Sequence, residues 1–273
     1  MIGVATFYLW PILRTVQLSF HTLGAFGRSE RWVGADNYAR LFDGPDFGVA
    51  LINTVIYTTI LLLGVPISVA LAALVGTPGL RGANVYRALF FLPYIAMPMA
   101  IALVWRLIFN GDFGVLNFVL DAIGISGPSW LSTPGIALIA VGVVGLWSSV
   151  GFSMIILGAG LRSIPTDLYE AAALDGASRV QSFRYVTVPM LRPSIFFVSV
   201  ITVIHGFQLF DLLFGLLGNA NPALASTRTI VYYFYDEAFI SNDKGFGSAI
   251  AIVIMLVIGA VTAVQFRLQR RGI

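Results

Sequence analysis

The feature that most constrains this chain is a series of apolar runs, each long enough to cross a lipid bilayer. A helix needs about 20 mainly apolar residues to span the hydrocarbon core. Five runs meet that length, and a weaker sixth run, 2–20, is interrupted by Arg14. The five cover residues 49–75, 88–109, 135–161, 193–217 and 246–266. We therefore predict an all-α membrane protein with six transmembrane helices.

Composition supports a membrane-embedded chain. Charged residues make up 11% of the 273 residues and hydrophobic residues 58%, whereas soluble domains carry about 25% charged residues. A net charge of +3 is no signature of nucleic-acid binding, and the absence of cysteine excludes disulfides and cysteine-ligated zinc. We interpret residues 1–273 as a single transmembrane domain in contact with the lipid bilayer, with no nucleic-acid partner.

The weak first run bears on how the chain begins. A secretory signal has a basic start and a small-residue cleavage site, and neither is present. We expect a first membrane helix whose N-terminal part, with any cytoplasmic arm, is missing or very short.

Orientation follows from the basic residues, which favour the cytoplasmic side. If the loop between the second and third helices is cytoplasmic, nine basic residues lie inside and five outside. The inner nine are Arg81, Arg87, Arg162, Arg179, Arg184, Arg192, Arg267, Arg270 and Arg271; the outer five are Arg28, Arg31, Arg40, Arg228 and Lys244. This predicts a multi-pass protein with both termini in the cytoplasm and a large inner loop at 162–192.

The inner loop has the pattern of a helix, a turn and a second helix. Thr166 is a candidate N-cap, and Gly176 is a candidate C-terminal stop. Ser178 and Gln181 have the spacing of a capping box. The three alanines at 171–173 give a surface with little side-chain bulk, which allows close approach by another protein; the alternative is an ordinary amphipathic connector.

This loop resembles the EAA motif of ABC-importer permeases. Residues 170–176 read Glu-Ala-Ala-Ala-Leu-Asp-Gly, and after nine intervening residues, 186–189 read Val-Thr-Val-Pro. The resemblance implies a MetI-like permease bundle whose cytoplasmic coupling helix docks in a cleft of a separate ATPase. It assigns that contact to Glu170, Ala171, Ala172, Asp175 and Gly176.

Further segments resemble the maltose- and glycerol-3-phosphate-type permeases. They are residues 32–38, 41–47 and 53–54, Phe91-Leu-Pro-Tyr94 with Trp105 and Phe109, and the pair Phe210-Asp211. The resemblance implies a bacterial inner-membrane permease subunit of an importer for a sugar or related polyol, forming half of the translocation pore. Implied partners are a second homologous permease, a cytoplasmic ABC ATPase dimer and an extracytoplasmic substrate-binding protein.

The chain itself carries no nucleotide site. A P-loop needs Gly-x-x-x-x-Gly-Lys-Ser/Thr, and the only lysine, Lys244, precedes a glycine. His21 and His205, the two histidines, lie in no metal-binding spacing. We therefore predict no catalytic residue, no metal and no cofactor in this chain. The resemblance to ABC-importer permeases implies that ATP and Mg²⁺ are bound by the partner ATPase.

Polar residues inside the apolar runs are candidates for a substrate path, since such groups are costly in lipid and tend to face a cavity or a partner. His205, Gln208 and Asp211 are spaced three apart in the fifth run, and Asn53 and Tyr57 form an i, i+4 pair in the second. The alternatives are hydrogen bonding between helices or, for Asp211, a place at the aqueous interface.

Other functions remain as alternatives. An ABC permease for amino acids or peptides would share the loop. A self-sufficient secondary transporter often shows inverted repeats and several in-membrane charges, but we find no repeat. A membrane-embedded enzyme would need clustered catalytic residues, which the sequence does not show.

Overall fold

The computed structural model describes residues 2–23, 30–77 and 79–271, and this part of the chain is mostly helical. In chain order the helices are α1 (Ile2–Val4), α2 (Trp10–Ser19), α3 (Asp36–Asp43), α4 (Pro45–Val75), α5 (Ala83–Ile95), α6 (Pro98–Ile108), α7 (Val115–Ala122), α8 (Ile136–Arg162), α9 (Thr166–Leu174), α10 (Arg179–Ser182), α11 (Val188–Met190), α12 (Arg192–Phe207), α13 (Asp211–Leu217), α14 (Leu224–Thr227), α15 (Ile230–Tyr235) and α16 (Lys244–Arg271). Turns of π-helix occupy Ala5–Leu9, Phe183–Thr187 and Asp236–Ile240.

A small hairpin departs from the all-α prediction. Strand β1 (His21–Leu23) pairs antiparallel with β2 (Glu30–Trp32), and His21 lies opposite Trp32. The side-chain amide of Asn37 donates to the backbone carbonyls of Ser19 and His21, which holds the start of the hairpin against α3. Strands of three residues are too short for an alternating apolar pattern to reveal them.

Three helices are long and apolar enough to cross a membrane without a break. They are α4, α8 and α16, with 31, 27 and 28 residues. At 1.5 Å per residue each is about 40 Å or more in length, against a hydrocarbon core of about 30 Å. Counting each of two bent helix pairs as one span brings the number in the described residues to five.

The third span is not the continuous helix that we predicted at 88–109. Helix α5 ends at Ile95, and α6 begins at Pro98 at an angle of 97° to it. Ala96 and Met97 between them have extended backbone. A proline disfavours the helical conformation in the residue before it, so Pro98 forces the chain out of the helix at Met97 and starts a new one.

The fifth span, predicted at 193–217, is also divided. Helix α12 ends at Phe207 and α13 begins at Asp211. His205, Gln208 and Asp211 therefore do not share one helix face, as the sequence pattern had indicated. Hydropathy does not register this break, because apolar residues continue on both sides of it. The start of this span is bent as well: the helical stretch that ends at Met190 meets α12 at 66°.

Glycines allow the central helices to approach closely. A Cβ on Gly151 of α8 would lie 1.9 Å from the carbonyl oxygen of Phe90 on α5. A Cβ on Gly145 would lie 2.3 Å from the hydroxyl of Tyr57 on α4, and one on Gly206 of α12 would lie 2.5 Å from the hydroxyl of Thr58. Membrane helices associate through such small residues, because lipid supplies no hydrophobic drive between helices. Helix α8 therefore packs closely against both α4 and α5.

An ion cluster joins two of the predicted outer loops. Arg40 of α3 lies 2.7 Å from Asp243 and 3.5 Å from Glu237. Burial raises the pKa of the Glu237 carboxyl, and the nearby guanidinium of Arg40 opposes that rise. The cluster fixes α3 beside the turn that leads into α16.

Candidate functional site

The α5–α6 break and the α12–α13 break both line one cavity. This polar cavity has a volume of about 210 Å³. It lies between α4, the α5–α6 break, the middle of α8 and the α12–α13 break. Its lining residues are Tyr57, Leu61, Pro93, Tyr94, Ala96, Pro98, Ile101, Gly145, Ser148, Ser149, His205, Gln208, Leu209, Phe210, Asp211 and Leu212.

Three of the predicted path residues meet in this cavity with their side chains exposed. They are His205, Gln208 and Asp211. In the part of the chain that the structure describes, none of the three side chains forms a hydrogen bond, and the ion pairs involve other residues. An imidazole, an amide and a carboxylate without internal partners can bond to a solute with several hydroxyl groups.

Tyr57 and Asn53, predicted as a pair, have different surroundings. Tyr57 is 4% exposed and lines the polar cavity beside Gly145. Asn53 does not line it. Its amide nitrogen donates to the backbone carbonyl oxygens of Ser226 and Arg228, at 2.9 and 3.0 Å. Those bonds tie the loop after α13 to α4, so the structure gives Asn53 an anchoring position.

Replacing Asn53 with alanine is expected to lower stability, because two part-buried backbone carbonyls lose the donor that the buried Asn53 side chain provides. The loss in free energy of unfolding should be about 1–3 kcal/mol, measured as thermal melting of the purified complex. The control is Thr59→Ala on the same helix, since the Thr59 hydroxyl is exposed and bonds only to its own helix. Unchanged melting of Asn53→Ala together with a changed dependence of uptake on substrate concentration would instead assign Asn53 to the path.

The cavity wall also contains residues that were not among the predicted path residues. From the sequence, Tyr94 is interpreted as a packing or belt residue. Tyr94 stacks on Phe152 with ring centroids 4.5 Å apart, and Ser148 and Ser149 line the cavity from α8. Both serine hydroxyls donate to backbone carbonyls of their own helix. The serine pair stands out in an otherwise apolar stretch of the sequence, but no spacing rule connects it with residues on α12.

The 162–192 loop folds as a helix, a tight turn and a second helix, as predicted. Gly176 has φ +74°, and its N–H donates to the carbonyl of Ala173, while the N–H of Ala177 donates to that of Ala172. These two bonds form a Schellman motif, which a residue in the left-handed region allows. The prediction of Thr166 as N-cap was wrong: α9 begins at Thr166, and Pro165 precedes it without a side-chain cap.

The second helix of the loop starts with the predicted capping box. The N–H of Gln181 donates to the Ser178 hydroxyl at 3.3 Å, and the Ser178 N–H donates to the Gln181 side chain at 2.7 Å. The Schellman turn and the capping box together give hydrogen-bond acceptors to the N–H groups of Gly176, Ala177, Ser178 and Gln181, which form the corner between the two helices. The corner therefore has a defined shape.

Several large apolar side chains of this loop are exposed, and sequence reasoning had not singled them out. Leu174 is 90% exposed, Val180 75% and Tyr185 69%. Of the residues assigned to the ATPase contact, Glu170, Ala171, Asp175 and Gly176 are exposed and Ala172 is half-buried. Large exposed apolar side chains on one short loop are typical of a surface that binds another protein.

Comparison with known proteins gives full-length relatives. The trehalose/maltose transport system permease protein MalF of Thermococcus litoralis is 30% identical over 98% of this chain and 90% of its own length. The sn-glycerol-3-phosphate transport system permease protein UgpA of Yersinia pseudotuberculosis is 31% identical over 98% and 91%. The arabinooligosaccharides transport system permease protein AraP of Bacillus subtilis is 29% identical over 98% and 85%.

The fold is also found in solved structures. A bacterial ABC transporter that imports the acidic polysaccharide alginate matches 99% of this chain and 92% of its own, with a TM-score of 0.87 at 24% identity. A MetNI methionine ABC transporter matches at a TM-score of 0.55. The family described as "binding-protein-dependent transport system inner membrane component" matches residues 59–273. The chain therefore belongs to this family of inner-membrane permease components of ABC importers, which confirms the resemblance that its loop and helices carry.

Proposed function

We propose that this chain is one of two permease subunits of an ATP-driven ABC importer for a sugar or related polyol, and that it forms half of the translocation pore. The observation that carries the proposal is the exposure of His205, Gln208 and Asp211 on a membrane-spanning bundle. Ionisable groups in a membrane face a water-filled cavity or a partner rather than lipid. A second permease subunit packed against this bundle would be such a partner, and it would enclose the polar cavity as a water-filled path.

The 162–192 loop supports coupling to a separate ATPase. Its corner has a fixed shape, its alanine face allows close contact, and Leu174, Val180 and Tyr185 are exposed outside the bundle. We infer that a cytoplasmic ABC ATPase dimer binds this surface and holds the ATP and Mg²⁺. An extracytoplasmic substrate-binding protein delivers the solute to the opposite side.

The substrate class rests on the relatives and on the chemistry of the cavity. The relatives transport trehalose and maltose, glycerol-3-phosphate or arabinooligosaccharides, as their names state. Hydrogen-bonding groups beside aromatic rings such as Tyr94 suit hydroxyl-rich solutes with apolar ring faces. ATP hydrolysis by the purified complex, with its binding protein, should rise with a sugar or polyol phosphate from a panel; stimulation by amino acids alone would favour the alternative permease class.

We also propose that the first helical segment provides the sixth crossing. Residues 2–19 are helical throughout, which corresponds to about 27 Å. Helix α2 packs against α16, and its neighbours Phe7 and Tyr8 are 78% and 69% exposed. Apolar side chains with that exposure beside a membrane-spanning helix suit contact with lipid. Six crossings place both termini on the side of the 162–192 loop, in the cytoplasm by the distribution of basic residues.

The orientation is testable with single cysteines, because the chain has none of its own. A cysteine at Leu80, in the loop after α4, should react with impermeant thiol reagents only after the cytoplasmic side is opened. A cysteine at Ile123, which is 66% exposed after α7, should react from outside. If the cysteine at Leu80 reacts from outside and the one at Ile123 only from the cytoplasm, the proposed orientation is wrong. The ATPase would then be assigned to the wrong side.

Removing a hydrogen-bonding group from the polar cavity should impair transport without loss of the complex. We expect Gln208→Leu or His205→Leu to lower uptake, by up to roughly tenfold, since one hydrogen bond to a solute is worth about 0.5–1.5 kcal/mol. The measurement is uptake by cells with equal amounts of assembled complex. Gln269→Leu, outside the cavity, is the matched control, and normal uptake by both cavity variants would remove these residues from the path.

A further inference from the structure

A second and larger cavity lies at the other end of α4 and α8, next to the 162–192 loop. This loop-side cavity has a volume of about 910 Å³, within the range of about 300–1,000 Å³ typical of ligand sites. Its lining residues are Ala72, Ala73, Val75, Gly76, Thr77, Arg87, Met154, Ile155, Gly158, Leu161, Arg162, Ile164, Thr166, Tyr169, Glu170, Ala173, Ala177, Arg179, Ser182, Phe183 and Thr187.

The wall of this cavity divides into an apolar and a charged part. The apolar part comes from the ends of the membrane-spanning helices, with Ala73 on α4 and Met154, Ile155 and Gly158 on α8. A Cβ on Gly158 would meet no atom within 4 Å, so this wall has free space in front of it.

The charged part combines arginines from three elements. Arg162 ends α8, Arg179 begins α10, and Arg87 lies on α5. The four ion pairs of the described residues involve other arginines; Arg87 donates a hydrogen bond to the side chain of Asn84 at 3.0 Å. Glu170 is the one acidic residue among those that line the cavity. Three arginines against one glutamate give the cavity lining a net positive charge.

We propose that the loop-side cavity binds an anionic phospholipid of the leaflet on that side of the membrane. Arginines form charge-assisted bonds to phosphate oxygens, and basic pockets between membrane helices bind anionic head groups. The apolar wall of α4 and α8 leads from those arginines toward the hydrocarbon core and accommodates an acyl chain. The phosphate sits among Arg87, Arg162 and Arg179, and the lipid thereby links the membrane to the base of the 162–192 loop.

Lipid retained by the purified complex tests this proposal. The whole complex is reconstituted in nanodiscs of phosphatidylglycerol and phosphatidylcholine in equal amounts, extracted in detergent, and its remaining lipid measured by mass spectrometry. Wild type should retain phosphatidylglycerol in preference to phosphatidylcholine. The pair Arg162→Gln and Arg179→Gln should reduce that preference on the order of tenfold, whereas Arg184→Gln, an exposed arginine of the same loop outside the cavity, should not.

A second variant tests the acyl-chain wall separately from the charges. Gly158→Leu fills the free space in front of α8 and should release phosphatidylglycerol. Gly259→Leu on α16, where an added Cβ also meets no atom within 4 Å, should retain it. Thermal melting of each variant shows whether the bundle is intact, and the arginine pair decides the outcome if Gly158→Leu fails to assemble.

Three results would overturn the proposal. One is equal retention of the two lipids by wild type, as expected if a partner chain fills the cavity. Another is unchanged retention in both cavity variants. The third is displacement of the lipid by excess inorganic phosphate with the same sensitivity to the arginine pair, which would make this a site for a soluble anion.

Discussion

Replacing Gly176 with valine is expected to abolish ATP-driven transport while the membrane helices remain assembled. Gly176 has φ +74°, a conformation that costs a side-chain-bearing residue about 1–2 kcal/mol, and more for a β-branched one. An added Cβ meets no atom within 4 Å, so the substitution acts through the backbone of the turn. If the turn relaxes to relieve that strain, the angle between α9 and α10 changes. The loop surface then no longer fits the proposed ATPase contact.

The controls separate backbone strain from loss of a small residue. Gly176→Asn should retain transport, because asparagine tolerates the left-handed conformation at a helix C-terminus. Glu170→Lys should also uncouple, since losing one partner of a desolvated charge pair costs on the order of 2–5 kcal/mol, whereas Glu170→Gln should do so less. The measurements are co-purification of the ATPase and substrate-stimulated ATP hydrolysis. Wild-type co-purification and wild-type ATP hydrolysis in both Gly176→Val and Glu170→Lys would show that the loop only connects two membrane helices.

Replacing Gly151 with valine should prevent the bundle from assembling in its native form. Its Cβ would lie 1.9 Å from the carbonyl oxygen of Phe90 and 2.9 Å from the Cα of Phe91. The obstacle is backbone, so no side-chain rotation relieves it, and α5 must move away from α8. Overpacking a core costs about 1–3 kcal/mol and at times more, and here the displaced helix also carries one wall of the polar cavity.

Thermal melting and the amount of assembled complex in the membrane measure this effect. Gly158→Ala, two turns further along α8, is the matched control, because its Cβ enters open space. We expect a strongly lowered melting temperature or no recoverable complex for Gly151→Val, and wild-type behaviour for Gly158→Ala. Equal melting of the two variants would contradict the close contact between α5 and α8.

The membrane-spanning helices were predictable because hydropathy acts over 20 residues at a time. The predicted runs at 49–75, 135–161 and 246–266 correspond to α4, α8 and α16. The breaks were not predictable in the same way. At Met97 the proline that follows gives a local signal, but Pro66 lies inside the unbroken α4, so a proline alone does not decide between a break and a continuous helix.

For the polar residues too, the sequence indicated local spacing correctly but not the tertiary arrangement. A spacing of three placed His205, Gln208 and Asp211 on one helix face, and that helix ends at Phe207. They nevertheless line one cavity, because the break turns the chain around it. Asn53 and Tyr57 share a face of α4, yet only Tyr57 lines the cavity. Local geometry made Gly176 and the Ser178 capping box predictable, since the turn is satisfied within a few residues.

We propose that this chain transports only as part of an ATP-driven assembly that is coupled through the 162–192 loop. The direct measurement is solute uptake into proteoliposomes that contain the chain with its partner permease and ATPase, supplied with ATP and the substrate-binding protein on opposite sides. Uptake should require ATP on the side of the loop and should fail with Gly176→Val but not with Gly176→Asn. Uptake by this chain alone, driven by an ion gradient without ATP, would instead make the chain a self-sufficient secondary transporter.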